Sequence, residues 1–184
     1  MSEQGDNLRN KFLLHLYDQL WNSITRVEQG LWQFIGIYAV IFVTHLTLGE
    51  KDPFLATVLA TLAGFWGINI AINAGKWFGR NRMMIINVEK QFLAEKDFGK
   101  IISKRFHERK SPIYFNTLIL THIVVFSIYT LVSPFIYWGN IETAYRNIIV
   151  VFFVLGVVAT LWHWRIAWKE IQKFIKETEG VDSL

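Results

Sequence analysis

Asn69 and Asn73 stand four residues apart inside an apolar stretch running from Phe54 to Phe78. At helical spacing their carboxamides share a face, aligned with Leu62, Trp66 and the Lys76/Trp77 pair. A polar side chain in hydrocarbon is costly, so it carries information. Two readings are open. The amides can hydrogen-bond neighbouring helices, at about 0.6–2 kcal/mol each. Alternatively, several copies turn Asn69, Asn73 and Trp66 towards water as the wall of a pore, with Phe65 or Trp66 as its constriction. A single four-helix unit is too narrow to conduct, so the second reading requires a homo-oligomer, a tetramer or larger.

His45 and His122 are the other ionisable side chains inside apolar stretches. A shared metal needs imidazoles that converge. His45 falls near the outer end of its stretch and His122 in the inner half of another, so no metal is expected between them. Each is expected to pack with a hydrogen bond, with Thr44, Thr47 and Thr121 as the nearest hydroxyls. His107 and His163 suggest no chemistry.

Ten of the 19 Lys and Arg residues lie between Lys76 and Lys110, against four acids. Lys76, Arg80, Arg82, Lys90, Lys104 and Arg105 are candidates for an anion-binding surface, for lipid headgroups or a nucleotide-like ligand. Ordinary membrane topology accounts for much of the same excess. In the ligand-binding reading, Lys76, Arg80 and Arg82 ring the inner mouth of the second span and raise the local anion concentration.

Signals for an enzyme are missing. The chain has no cysteine, which excludes thiolate nucleophiles, Cys-ligated zinc and iron–sulfur clusters. It contains no HExxH, GxSxG, P-loop or dinucleotide-binding glycine pattern. The compact polar group beside a span, Arg82, Asn87 and Glu89, offers no nucleophile. The sequence reads as non-enzymatic, with no cofactor. Coupled transport is disfavoured too, because no span carries a coupling carboxylate or a midspan break.

The elements that must position these residues are membrane spans. Of the 184 residues 52% are hydrophobic and 18% charged, against about 25% charge in a soluble domain. The apolar residues come in four blocks, 31–48, 54–78, 113–138 and 147–164, each near the roughly 20 residues a spanning helix needs. Short connections, Gly49 to Pro53 and Gly139 to Thr143, predict two helical hairpins. The expected fold is an all-α integral membrane protein with four transmembrane helices. Its parts are an amphipathic helix over 1–30, a hairpin over 31–78, a basic helical segment over 79–112, a second hairpin over 113–164 and a helical tail over 165–184. No cleavable leader is expected, since the first 30 residues lack an uncharged apolar region.

Seventeen of the 19 basic residues fall on the side shared by the termini and the central segment; Lys51 and Arg146 fall on the other. The positive-inside rule makes the first side cytoplasmic. Trp21, Trp32, Trp77, Trp138, Trp162, Trp164 and Trp168 lie near span ends, as interface anchors do.

Leu8, Phe12, Leu16, Leu20, Ile24 and Val27 recur every three or four residues, so the N-terminal helix is amphipathic. It either lies on the inner leaflet or packs on the central segment. The spacing of Ile85, Val88 and Phe92 carries the second span beyond the membrane, with a stop near Gly99 and a further short helix around Ile101, Ile102 and Phe106. Pro112 then opens the third span. Trp168, Ile171, Phe174 and Ile175 extend the fourth span into the tail. Ala56, Ala60, Gly64, Gly67, Ala71 and Gly75 form an unbroken small-residue stripe along the second span. Such stripes let helices approach closely. With amides on another face, this helix is expected to be innermost and to face lipid nowhere.

The stretch from Trp77 through Asn81-Arg82 to Asn87-Val88-Glu89-Lys90 resembles the Asn…Ile/Val-Glu element that follows a tryptophan-bearing span in small bacterial membrane proteins of the SLATT and RipA type. In size and layout the chain is also similar to the channel subunits of Hailong-type antiphage systems. The resemblance covers about a third of the chain, and this chain departs from the two-span minimal form. It implies an oligomeric effector in the bacterial inner membrane, a partner enzyme that synthesises nucleotides, and a nucleotide or oligonucleotide product that gates the pore. No functional residue carries over. The resulting expectation is a homo-oligomeric channel that permeabilises or depolarises the membrane. The rival is a non-conducting scaffold that recruits a soluble partner.

Overall fold

A computed structural model describes residues 3–92 and 117–179. The chain is all-helical: α1 (Glu3–Gly49), α2 (Pro53–Phe92), α3 (Thr117–Ile136), a 3-10 turn (Trp138–Asn140) and α4 (Thr143–Glu179). All four α-helices are long and apolar enough to cross a membrane. The stop at Gly99, the helix at Ile101 to Phe106, His107, Pro112 and residues 113–116 of the third span lie outside the described residues.

The α1–α2 connection is as tight as its sequence predicts. Asp52 caps α2, accepting the Leu55 N–H on Oδ1 at 3.0 Å, and Pro53 fills the first helical position, where no N–H is needed. The second connection is closed by aromatic contacts. Tyr137 donates its hydroxyl to the Leu46 carbonyl at 3.0 Å, and Arg146 lies over the Trp138 ring at 5.6 Å.

α2 is the centre of the bundle, and α1, α3 and α4 all pack against it. Half of its apolar window is buried, against 6% for that of α4. α3 and α4 are consecutive and tightly connected, yet make little contact with each other. The second pair is thus a hairpin in connectivity but not in packing, because both helices take their close contact from the small side chains of α2.

α1 is one unbroken helix of 47 residues, about 70 Å long at 1.5 Å per residue. Residues 3–30 thus continue without a break into the first span. Leu20, Ile24 and Leu31 pack with Phe78 and Ile85 of α2 and Ile119 of α3. Ser23 accepts from Asn81 at 2.9 Å, Tyr17 donates to Glu89 at 3.1 Å, and Arg9 donates to Gln91 at 2.7 Å. Large apolar residues build this end of the bundle, and the small side chains of α2 build its contacts towards the other.

Candidate functional site

The three packed faces of α2 follow from its residue sizes. Ala56, Ala60, Gly64, Gly67, Ala71 and Gly75 are all buried. A Cβ at Gly64 would overlap the Thr130 hydroxyl, and one at Gly67 would overlap the Phe126 ring. The stripe is consumed within one chain, much of it against α3. Towards α4, the Phe65 ring meets Phe153 at 5.5 Å and occupies the space a side chain at Gly156 would need.

The structure separates the residues that the sequence groups as one wall. Asn69 is half-buried; its amide donates to the Phe65 carbonyl at 2.8 Å and to Thr160 Oγ1 of α4 at 3.1 Å. It is interhelical glue. Asn73 is exposed. Trp66 is 52% exposed and meets one edge of Phe34 at 5.6 Å. Leu55, Leu59, Leu62, Trp66, Asn73 and Trp77 form an open strip along α2 between α1 and α4. Within one chain, three neighbours cover three faces of α2 and leave the fourth open. Among the described residues, neither the Trp66 indole N–H nor the Asn73 amide has a hydrogen-bond partner.

The basic candidates are separated as well. Lys76 pairs with Glu170 of α4. Arg80 is exposed, its guanidinium over the Trp77 ring at 5.3 Å and the Phe174 ring at 5.5 Å. These residues meet Lys173 and Glu177 around a cleft of about 290 Å³ between α2 and α4. Arg82 is buried, 8% exposed. Two positions from Arg80 on a helix, it points roughly 160° away. Lys90 lies further along the helix, exposed near its end, and neither residue lines the cleft. Lys104 and Arg105 lie outside the described residues. Lys76, Arg80 and Arg82 thus do not share one face of α2.

The histidines do not meet. His122 is buried on α3, with Nε2 at 2.9 Å from the Leu31 carbonyl of α1 and Nδ1 at 2.7 Å from the Leu118 carbonyl. His45 is buried near the other end, with Nδ1 at 3.3 Å from the Tyr129 hydroxyl and its ring beside Tyr137. Their partners are backbone carbonyls and a tyrosine, not the neighbouring threonines. Among the described residues no three His, Asp or Glu side chains gather as a metal site. A crevice of about 570 Å³ opens between α1 and α3 beside Trp32, Tyr38 and His122.

Glu170, Phe174, Thr160 and Phe34 complete these contacts and escape sequence reasoning. The Lys76–Glu170 and Asn69–Thr160 pairs span 94 and 91 positions, and no local pattern announces a contact at that separation. A faint signal exists for Phe174, an aromatic residue in a charged tail that continues the apolar spacing of Ile171.

No family model matches the chain. It is similar to an uncharacterized protein of Methanocaldococcus jannaschii, 29% identical over 122 residues that cover 58% of this chain and 33% of that protein. The chain thus spans about a third of the length of this relative. No solved structure matches.

Proposed function

We propose that the chain assembles with copies of itself into a channel of the bacterial inner membrane, with both termini in the cytoplasm. The reading is carried by the open strip of α2. Trp66 lies at the middle of the apolar stretch 54–78, and Asn73 lies seven residues, about 10 Å, towards the basic end. Both stay within a hydrocarbon layer of about 30 Å. An uncovered amide there costs roughly 2–7 kcal/mol, depending on the reference environment. Tryptophan, too, favours interfaces over the bilayer centre. Copies that turn this strip towards a common axis give both groups water or a partner's polar atoms, and Leu55, Leu59 and Leu62 an apolar seal. In this reading Trp66 and Asn73 line the path, while Asn69 holds the wall helix to α4.

The channel acts as an effector that permeabilises or depolarises the membrane in antiphage defence, under control of a nucleotide or oligonucleotide made by a partner enzyme. Such a ligand gates only through different affinities for the closed and open states. Ionic flux through liposomes holding the purified protein tests conduction, with Asn73→Leu alongside. Flux that changes in the variant is the expected result; absence of flux, with and without nucleotides, overturns it.

A second reading, a non-conducting scaffold, draws on the cytoplasmic half of α1. Leu8 and Phe12, one helical turn apart on one face, are 66% and 65% exposed there, well beyond the apolar block that starts at Leu31. An apolar face in water is a recruiting surface for a soluble partner. Overexpression separates the two readings: a deregulated pore is toxic and a scaffold is tolerated.

A further inference from the structure

The cleft between α2 and α4 carries its own chemistry. Lys76 and Arg80 of α2 face Glu170, Lys173 and Glu177 of α4 across it. Lys76 is neutralised by Glu170, and Lys173 lies 3.7 Å from Glu177. Arg80 has no carboxylate partner among the described residues; its central carbon lies over the Trp77 ring at 5.3 Å and over the Phe174 ring at 5.5 Å. Ring faces answer the charge of a guanidinium, while its five N–H donors call for oxygen acceptors. The cleft therefore offers one surplus positive charge and a planar fork of donors suited to phosphate oxygens. Its depth is set by Trp77, which closes the apolar stretch of α2; Arg80 lies about one turn further on.

We propose that this cleft binds the phosphodiester of an anionic membrane phospholipid, with Arg80 as the phosphate-binding residue and Phe174 as the residue that positions it. Charge decides between the two sources of phosphate. A phosphodiester carries one negative charge and matches the single surplus cation. A nucleotide polyphosphate carries several, and would meet Glu170 and Glu177 within the same cleft. The inference rests on the membrane-spanning reading and is independent of conduction. In an oligomer, a lipid seated here ties the inner end of α4 to α2, the main neighbour of α4 among the described residues.

The test uses the full chain in nanodiscs of mixed phosphatidylglycerol and phosphatidylcholine, with retained lipid counted by native mass spectrometry. Entry into the nanodisc, checked by protease protection, reports on the membrane reading separately. A chain that does not insert overturns both readings; one that inserts without retaining phosphatidylglycerol overturns the lipid site alone. Removing one surface cation is expected to lower anionic-lipid retention about fivefold. Arg80→Gln should show that fall against the equal charge change Lys51→Gln, with phosphatidylcholine unaffected. Phe174→Leu should reproduce the fall while keeping every charge, and Glu170→Gln should raise retention. Equal retention in Arg80→Gln and Lys51→Gln, or displacement of the lipid by millimolar ATP, overturns the proposal.

Discussion

Gly64 of α2 lies so close to Thr130 of α3 that a side chain at position 64 would occupy the space of the Thr130 hydroxyl. Thr130 is itself tied down, donating to the Phe126 carbonyl at 2.7 Å, so it cannot rotate away without losing a bond. Nothing lies within 4 Å of a Cβ at Gly30. The same change therefore has opposite signs at the two sites. Gly64→Ala is expected to destabilise by about 1–3 kcal/mol through overpacking, and Gly30→Ala to stabilise by about 0.5–1 kcal/mol by relieving helical glycine. Thermal unfolding in detergent reads both. A neutral Gly64→Ala would show that α2 and α3 are not in this register.

Asn69 and Thr160 form a polar bond between α2 and α4 at membrane depth. Asn69→Leu is expected to cost about 0.6–2 kcal/mol. Thr160→Val should cost less, because Asn69 keeps its bond to the Phe65 carbonyl. The double variant should be less destabilised than the sum. Strict additivity in denaturation would mean that the two side chains do not interact.

The chain contains no cysteine, so a single introduced thiol reports on one position. If the open strip of α2 meets its counterpart in another copy, Asn73→Cys forms disulfide-linked dimers in membranes under mild oxidation. Val132→Cys, on an open side of α3 at 50% exposure, should not. Cross-linking at Val132 instead of Asn73 would move the contact between copies to α3.

Both ring nitrogens of His122 point at carbonyl oxygens, one on α3 and one on α1. A neutral imidazole has a single N–H to donate, so one prong alone is satisfied in that form. α1 and α3 also meet through Tyr38 with Phe126 and His45 with Tyr129, and His122 is the polar tie at the Leu31 end. His122→Leu is expected to destabilise by about 1–2 kcal/mol and to speed hydrogen exchange in α1 around Leu31. An unchanged exchange pattern would place the tie elsewhere.

Tyr17 donates to Glu89 where α1 and α2 run together beyond the apolar stretches. Burial, helped by the neighbouring Glu89 charge, pushes the phenol pKa up. A group whose pKa is raised on folding contributes stability that is complete below its unfolded value, about 10 for tyrosine, and lost as the pH rises through the folded value. The α1–α2 contact should therefore loosen above about pH 10. Trp21, 6.3 Å from the Tyr17 ring, reports this by fluorescence. Tyr17→Phe should abolish the alkaline step; an identical step in the variant would assign it to another group.

Composition and periodicity alone determine the four long helices of the described residues, their approximate ends and the central place of α2. Four apolar blocks of spanning length, separated by Pro53 and by the Gly139-Asn140 turn, leave few other arrangements, and a stripe such as Ala56 to Gly75 has to be packed against something. These are local properties, repeated every three or four residues, and a sequence displays them directly. The tertiary structure decided which neighbour each face meets. It took Asn69 from the proposed wall by setting Thr160 beside it, left Asn73 and Trp66 open, paired Lys76 with Glu170, and joined the amphipathic segment to the first span as one rod. Those outcomes depend on the rotation and axial register of helices distant in sequence. A shift of one residue turns a helix by 100° and exchanges every partner, while the apolar pattern read along the chain stays the same.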